Sequence, residues 1–255
     1  MKPLPPAPGG ASTEAGAAPA SLPATGQLPL SLRPPPDQRL ETFVAAPPGA
    51  LDHLRALANG THSDWVFLAG PPASGKTHLL LGVLAQAREA GRRAGYLPLA
   101  AASGRLREAL DAMEDHDLLA LDGVEAVIGS QADEVALFDA HNRARASGTT
   151  LVYAARQAPD ALSPGLADLQ SRLSQCTRLV LAPLDDAGRR EVLRTRALRR
   201  GWALEDAALD WLLRRTGRDL AGLTLLLDRL DRASLAAQRR VTVPFLRQVL
   251  GTPGN

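Results

Sequence analysis

Residues 70–77 read Gly70-Pro71-Pro72-Ala73-Ser74-Gly75-Lys76-Thr77, which is the G-x-x-x-x-G-K-[ST] pattern of a Walker A loop. The short apolar run at 65–69 before it is typical of a buried strand. The apolar run at 78–85 after it is typical of a helix. Because the motif requires a strand, a glycine loop and a helix in that order, these flanks favour a phosphate-binding loop over a chance glycine turn.

The residue types in the loop indicate how it would hold a phosphorylated ligand. Glycines let backbone N–H groups surround a phosphate, and the helix N-terminus adds positive potential. Lys76 is expected to reach the β- and γ-phosphates, and the Thr77 hydroxyl is expected to hold Mg²⁺. Only two of the 29 basic residues are lysines, so Lys76 is conspicuous at a site that favours a compact ammonium over a planar guanidinium. The residues predicted to bind nucleotide here are Gly70, Pro71, Pro72, Ala73, Ser74, Gly75, Lys76, Thr77 and His78.

A second acidic motif follows the loop. Residues 117–122 form an apolar strand pattern that ends in Asp122, as in a Walker B strand. A carboxylate at that strand end can hold Mg²⁺ or its waters together with Thr77. Strand and helix patterns alternate from 62 to 182, with the second strand expected at 96–99 and the last at 179–181. This alternation predicts a parallel sheet with helices on both faces. From about 185 onward the pattern is helical throughout, with helices expected at 186–200, 205–215, 219–238 and from 242.

Composition excludes several classes of protein. The chain has 255 residues and a net charge of only +2, which does not indicate a strongly basic nucleic-acid binder. Its one cysteine, Cys176, excludes a disulfide framework and is interpreted as a buried, inert thiol. The five histidines lack metal-ligand spacing, and no apolar run is long enough for a transmembrane helix. Without a secretory apolar region at the N-terminus, an intracellular protein is expected.

The first 36 residues differ from the rest of the chain. They hold ten of the 20 prolines and three charged residues, so residues 1–26 are predicted to be a disordered tail. Within this segment, residues 27–32 read Gln27-Leu28-Pro29-Leu30-Ser31-Leu32. An extended chain places the three leucines on one side, as in a docking peptide, although a chance Leu-Pro cluster remains the alternative.

An α/β nucleotide-binding core followed by a helical lid is the plan of the AAA+ ATPases. Within them the sequence resembles the DnaA family, and most closely its short Hda-type relatives, the regulatory inactivators of DnaA. The resemblance covers residues 27–250, and a helix-turn-helix domain like that of DnaA is not expected after them. Besides the Walker A loop, the stretches that carry it are Leu121-Asp122-Gly123-Val124-Glu125, Leu169-Gln170-Ser171-Arg172-Leu173, Gly217-Arg218-Asp219-Leu220-Ala221-Gly222 and Leu230-Asp231-Arg232-Ala233-Ser234.

The resemblance implies a domain organisation. A P-loop AAA+ core with a parallel sheet flanked by helices is expected at 37–183, followed by a small all-helical lid at 184–250 and a tail at 251–255. Residues 27–36 would be a clamp-binding peptide and linker, with Gln27, Leu28, Leu30 and Leu32 docking on the DNA polymerase III sliding clamp. Pro and Ser are swapped in this peptide relative to its usual form, but the glutamine and the leucines are present.

The resemblance also implies a function. Hda-type proteins, docked on a DNA-loaded clamp, promote hydrolysis of the ATP bound to DnaA, so the expected partners are DnaA and the clamp, with DNA contacted mainly through the clamp. Self-association into a homo-oligomer is left open, and a cytoplasmic, replisome-associated location without membrane contact is expected. Carried over to this sequence, Arg172 resembles the arginine finger that acts in trans. Arg218 resembles the lid arginine that contacts bound ADP or ATP.

Two departures predict that the chain hydrolyses its own ATP poorly. Gly123 follows Asp122 where AAA+ enzymes have an acid, and Glu125, two positions further on, need not face the nucleotide. The polar sensor position after the fourth core strand is Ala155, followed by Arg156. An active DnaA-like or loader-type ATPase is the main alternative, and a clamp-tethered adaptor with a structural nucleotide is a third. Arg156 and Arg178 compete with Arg172 for the role of the finger.

Overall fold

The computed structural model describes residues 38–202, 204–216, 230 and 242–250. A five-stranded sheet lies at the centre of this part of the chain, in the order β2-β3-β4-β1-β5, and every adjacent pair is parallel. The strands are β1 (Val66–Ala69), β2 (Ala94–Pro98), β3 (Leu118–Asp122), β4 (Thr150–Ala155) and β5 (Thr177–Val180).

Helices connect the strands and continue beyond the sheet. Short 3-10 turns lie at Leu40–Thr42 and Val124–Ala126. The described helices are α1 (Ala50–Ala58), α2 (Lys76–Glu89), α3 (Leu99–Ala102), α4 (Leu106–Asp111), α5 (Gln131–Ser147), α6 (Pro159–Leu162), α7 (Ala167–Ser174), α8 (Asp186–Arg199), α9 (Asp206–Thr216) and α10 (Val243–Leu250). None of these described helices has the length and the apolar character needed to cross a membrane.

The central strands are buried on both faces, because each face carries helices. Val66 and Leu68 of β1 pack with α1 and α2 on one side of the sheet. Phe67 and Ala69 of the same strand face the core formed with the helices between β2 and β5. This alternation explains why β1 is a continuous apolar run in the sequence. The described fold is therefore the predicted parallel sheet between two helical layers, with a glycine loop between β1 and α2.

The lid has an apolar core of its own. Leu193 of α8, Leu209 and Leu212 of α9, and Phe245 and Leu246 of α10 are buried together. The helix α8 begins as predicted, because the Asp185 side chain accepts a hydrogen bond from Gly188 N at 2.7 Å. It ends before Gly201, whose φ of 75° is in the left-handed region. The predicted helix at 219–238 lies outside the described residues, apart from position 230.

Two predicted boundaries are wrong. Leu99 was expected to end the second strand, but it begins α3 because the chain turns after Pro98. The last strand was expected at 179–181 but spans Thr177–Val180, since Thr177 N donates to Trp65 O at 2.7 Å and pairs beside β1. The strand β5 lies at the sheet edge and is half-exposed, so no apolar run marks its start.

Candidate functional site

The loop between β1 and α2 is packed so closely that two of its glycines cannot carry a side chain. A Cβ on Gly70 would lie 2.6 Å from Leu181 O, and one on Gly75 would lie 2.5 Å from Phe43 Cε2. Gly75 also has a φ of 93°, where a side chain is strained. The buried Ser74 Oγ has no hydrogen-bond partner within the described part of the chain. A tight glycine loop at a helix N-terminus is the geometry that presents backbone N–H groups to a phosphate.

Lys76 is the first residue of α2 and turns back over the loop. Its Nζ donates to Gly70 O at 2.7 Å and to Pro71 O at 2.8 Å. Burial lowers the pKa of Lys76, while the nearby carboxylates of Glu125 and Asp122 oppose that shift. A half-buried ammonium at this point can pass its donors from the loop carbonyls to phosphate oxygens.

The residues predicted to hold Mg²⁺ lie in contact with each other. Thr77 Oγ1 donates to Asp122 Oδ2 at 2.7 Å, so the start of α2 and the end of β3 meet at the phosphate loop. Within the described ranges there is no cluster of three or more His, Cys, Asp or Glu side chains that could hold a metal. A divalent ion here would take Thr77, Asp122, phosphate and water oxygens, which suits the hard, partly hydrated Mg²⁺ ion. The residues present therefore fit a nucleotide with Mg²⁺.

Sequence reasoning missed Tyr96, which supports Asp122 from the neighbouring strand. Its hydroxyl donates to Asp122 Oδ2 at 2.9 Å, the same oxygen that Thr77 contacts. Burial and the Asp122 carboxylate raise the pKa of Tyr96, so the phenol stays protonated and remains a donor. The only sequence signal is that β2 would lie beside β3 in a parallel sheet, which the sequence does not establish.

The structure also defines the position of Glu125, which the sequence left open. Gly123 adopts a φ of 83° and begins the 3-10 turn that carries Glu125. Glu125 Oε2 accepts from Arg156 N at 3.1 Å, and its Oε1 pairs with Arg156 Nε at 3.1 Å. Glu125 is close enough to Lys76 to act on the pKa of that lysine. A carboxylate, three positions after the Walker B aspartate, and a guanidinium, directly after Ala155, thus lie beside the phosphate loop.

A second part of the site lies between the loop and the lid. A cavity of about 270 Å³ is lined by the loop, by the segment before α1 and by α8. Phe43 meets His78 edge-on at 5.4 Å between ring centroids, and His78 Nε2 lies 2.9 Å from Arg39 O. Lid residues Val192 and Arg196 complete the lining. Phe43, in the segment before α1, is therefore part of the cavity wall.

Arg172 lies on α7 and lines a cavity at the amino-terminal ends of the strands, whereas the phosphate loop follows the carboxyl end of β1. The cavity that it lines is formed by residues before β1, at the start of β4 and before β5, and it shares no residue with the cavity beside the loop. Of its two competitors, Arg156 pairs with Glu125, and Arg178 Nη1 lies 3.4 Å from Asp160 Oδ2. Arg172 has no ion pair within the described part of the chain. In this fold Arg172 cannot serve the nucleotide loop of its own chain.

The position of α7 depends on a buried carboxylate that the sequence did not indicate. Glu134 of α5 is 2% exposed, and its Oε2 accepts from Leu166 N at 2.8 Å, at the start of α7. Its Oε1 accepts from Gly129 N at 2.7 Å and from Gly165 N at 3.2 Å. Glu134 thus ties the segment before α5 to the start of the helix that carries Arg172.

Several predicted site residues cannot be placed. Arg218, the expected lid arginine, and the expected docking residues Gln27, Leu28, Leu30 and Leu32 lie outside the described residues. Their roles remain predictions from the sequence.

The chain has similarities to known proteins in its lid and in its overall fold. Residues 186–250 match the family model described as Hda, lid domain. Domain III of the Thermotoga maritima replication initiation protein DnaA has a TM-score of 0.68 and 22% identity, over 85% of this chain and 96% of that one. Replication initiator DnaA bound to AMPPCP and single-stranded DNA has a TM-score of 0.63 and 21% identity, over 80% and 69% of the two chains.

The same architecture occurs in a motor of different function. The RuvB Holliday junction branch migration motor of Thermotoga maritima has a TM-score of 0.60 and 19% identity, over 84% of this chain and 71% of that one. At these identities the solved structures establish the fold alone. Residues 186–250 therefore match the lid domain of the Hda family, and the chain as a whole has the fold of domain III of DnaA.

Proposed function

We propose that this chain is a nucleotide-binding negative regulator of replication initiation, which promotes hydrolysis of the ATP bound to DnaA. The observation that carries the proposal is the separation of two sites within one AAA+ core. A complete phosphate loop lies at the carboxyl ends of the strands. An arginine without a carboxylate partner in the described chain lies at their amino ends. An arginine in that position is available to the nucleotide of a neighbouring molecule.

The loop supports binding of ADP or ATP with Mg²⁺. Lys76 would contact the phosphates, and Thr77 and Asp122 would hold the metal, since both already meet at 2.7 Å. The bound metal would neutralise phosphate charge and orient the phosphate oxygens. Phe43 and the lid residues on α8 line the neighbouring cavity, and Arg218 would contribute from the lid as the resemblance implies.

Slow turnover of the chain's own ATP fits the residues beside Lys76. Gly123 supplies no carboxylate, and the nearby Glu125 is held by Arg156 through both of its oxygens. A base or water-orienting carboxylate must reach the attacking water, and these two contacts hold Glu125 against the end of β4. The proximity of Glu125 to Lys76 is also the one observation that favours the alternative, an active DnaA-like or loader-type ATPase.

The proposed partners follow from the family. Arg172 would enter the ATPase site of DnaA, while Gln27, Leu28, Leu30 and Leu32 would dock on the sliding clamp. Docking through this peptide would raise the local concentration of the core near DnaA on the same DNA. DNA would be reached through the clamp, and the site of action would be the replisome in the cytoplasm.

The test is conversion of DnaA-bound radiolabelled ATP to ADP, with this chain and with the clamp on or off DNA. Acceleration is expected only when the chain and the DNA-loaded clamp are both present. A variant lacking residues 1–32 should bind ADP normally but lose both clamp binding and acceleration. Steady-state turnover by the isolated chain at roughly 1 s⁻¹ or faster would instead support the ATPase alternative.

A further inference from the structure

A second cavity, of about 430 Å³, lies at the amino-terminal ends of the strands, away from the phosphate loop. Its walls include Trp65 before β1, Thr150 at the start of β4, His141 and Arg145 of α5, and Arg172 of α7. Arg172 already has a proposed role, and the nucleotide site uses none of the other side chains. This cavity is therefore a candidate binding site in its own right.

Two guanidinium groups line this cavity. Arg145 Cζ lies 5.6 Å from the centroid of the Trp65 ring, a cation–π arrangement that holds an exposed side chain in place. As far as the structure describes the chain, neither Arg145 nor Arg172 pairs with a carboxylate. Both act on the same neighbour, because after burial their charges are what lower the pKa of His141, to about 4. The two arginines therefore converge on one region.

One carboxylate lies among the residues that line the cavity, and one of its oxygens has other contacts. Asp64 also lines the cavity, but its Oδ2 accepts from Thr177 Oγ1 at 2.8 Å and faces His53 Nε2 at 3.2 Å. With two guanidinium groups and one carboxylate in its wall, the cavity keeps an excess of positive charge. Paired planar guanidinium groups are the arrangement that suits carboxylate or phosphate oxygens.

A buried imidazole supports this arrangement. His141 is 1% exposed, its Nδ1 lies 3.0 Å from Tyr153 Oη, and its Nε2 has no hydrogen-bond partner among the described residues. Tyr153 is fully buried, so its hydroxyl is satisfied by donating to Nδ1. That assignment leaves a proton on Nε2, which is buried, and the imidazole packs edge-on against Trp65 at 4.3 Å between ring centroids. His141 therefore fixes the Trp65 ring on which Arg145 lies.

We propose that Arg145, held by Trp65, is a second phosphate-binding arginine, and that it forms with Arg172 a cavity for phosphoryl oxygens. The source we favour is the nucleotide presented by the partner ATPase, and that part rests on the proposed function. Two guanidinium forks would then meet the charge that develops on the transferred phosphoryl group. The inference assigns Arg145, not Arg172 alone, to the stimulated reaction.

Titration calorimetry with sodium tripolyphosphate tests the cavity itself. The protein is kept saturated with ADP and Mg²⁺, so that the Walker A loop is filled. Wild type and the exposed control Arg105→Ala should bind tripolyphosphate equally, and Arg145→Ala and Arg172→Ala should each bind it at least about tenfold more weakly. Arg145→Lys should be intermediate, since it keeps the charge but loses the fork. Binding to Arg145→Ala that equals wild type, or no binding to wild type, would overturn the cavity assignment.

The second arm measures hydrolysis of DnaA-bound ATP with the same variants, all checked for an unchanged melting temperature. Arg145→Ala should reduce the stimulated rate at least about tenfold while the protein still binds DnaA. An unchanged rate, in an assay where Arg145→Ala has lost tripolyphosphate binding, would show a site for a free oxoanion and reject the partner's nucleotide as the source. Failure of wild type to stimulate DnaA would reject the proposed function, and the calorimetry would still decide the cavity.

Discussion

Replacing Glu134 tests how the fold positions Arg172. The carboxylate is 2% exposed and accepts three backbone N–H groups, from Gly129, Gly165 and Leu166, at 2.7–3.2 Å. Each hydrogen bond to a charged group contributes about 1.5–3 kcal/mol, and partial relaxation makes the sum less than additive. Glu134→Ala should therefore lower the free energy of unfolding by about 3–5 kcal/mol.

The glutamine variant makes the prediction sharper. Glu134→Gln can keep one carbonyl oxygen at Oε1, which serves two N–H groups, but its amide would place a donor against Leu166 N–H. We expect it to cost about 1–3 kcal/mol, between wild type and alanine. For a chain of this size 1 kcal/mol corresponds to roughly 2–4 °C in melting temperature, so both variants are resolvable by thermal unfolding. Glu108→Ala, on an exposed position of α4, is the matched control and should change little.

The functional consequence is specific to α7. Leu166 caps that helix, and Arg172 lies fewer than two turns further along. Loss of the hydrogen bond at the start of α7 should reduce stimulation of DnaA. ADP affinity should stay near the wild-type value, because the phosphate loop lies at the opposite ends of the strands. Two results would refute this reasoning: a Glu134→Ala protein that melts within about 1 °C of wild type, or one that loses ADP binding together with stimulation.

Three further predictions concern the phosphate loop and the second cavity. Lys76→Ala should weaken ADP binding by about tenfold to a hundredfold in calorimetry, because a charge-assisted phosphate contact is lost; an unchanged affinity would contradict its role. Gly75 and Gly129 have similar φ angles, of 93° and 91°, so alanine strains the backbone at both. Only at Gly75 would the added Cβ lie within 4 Å of another residue, at 2.5 Å from Phe43. Only Gly75→Ala should therefore both lower the melting temperature strongly and impair ADP binding. The pKa of His141 is about 4 in the folded protein and near 6.5 in the unfolded chain. Its contribution to the free energy of unfolding, up to about 3 kcal/mol, is therefore present above pH 6.5 and is lost as the pH falls toward 4. In urea unfolding, His141→Leu should show a flatter dependence of that free energy on pH than wild type, and an equal dependence would exclude this histidine as the cause.

The parts of the fold that could be predicted are those encoded by local pattern. Residues 65–85 contain an apolar strand, a glycine loop and an apolar helix in uninterrupted order, and the structure forms β1 and α2 there. The strand that ends in Asp122 was equally clear, because four buried residues precede a single acid. The edge strand β5 was misplaced by two residues at its start, because it is half-exposed and carries no apolar run.

The contacts that complete the two sites depend on how distant segments are arranged, and local pattern does not encode this. Tyr96 reaches Asp122 only because β2 and β3 are neighbours in register. Glu125 meets Arg156 because the ends of β3 and β4 lie side by side, and Gly123 reverses the backbone between Asp122 and Glu125. Such pairings need the strand order, which a single sequence with alternating strands and helices does not determine.

The most direct test of the account is single-turnover hydrolysis of DnaA-bound ATP, with the clamp on DNA, by wild type, Arg172→Ala and Arg178→Ala. Arg178 is the matched control, because it lies near Arg172 in the sequence and pairs with Asp160 on the protein surface. We expect wild type and Arg178→Ala to accelerate hydrolysis, and Arg172→Ala to leave the unassisted rate of DnaA despite normal folding, ADP binding and clamp binding. Arginine fingers supplied in trans contribute about 10³–10⁵ in rate in well-studied GTPases, so the difference should be large. Full acceleration by Arg172→Ala would contradict the account.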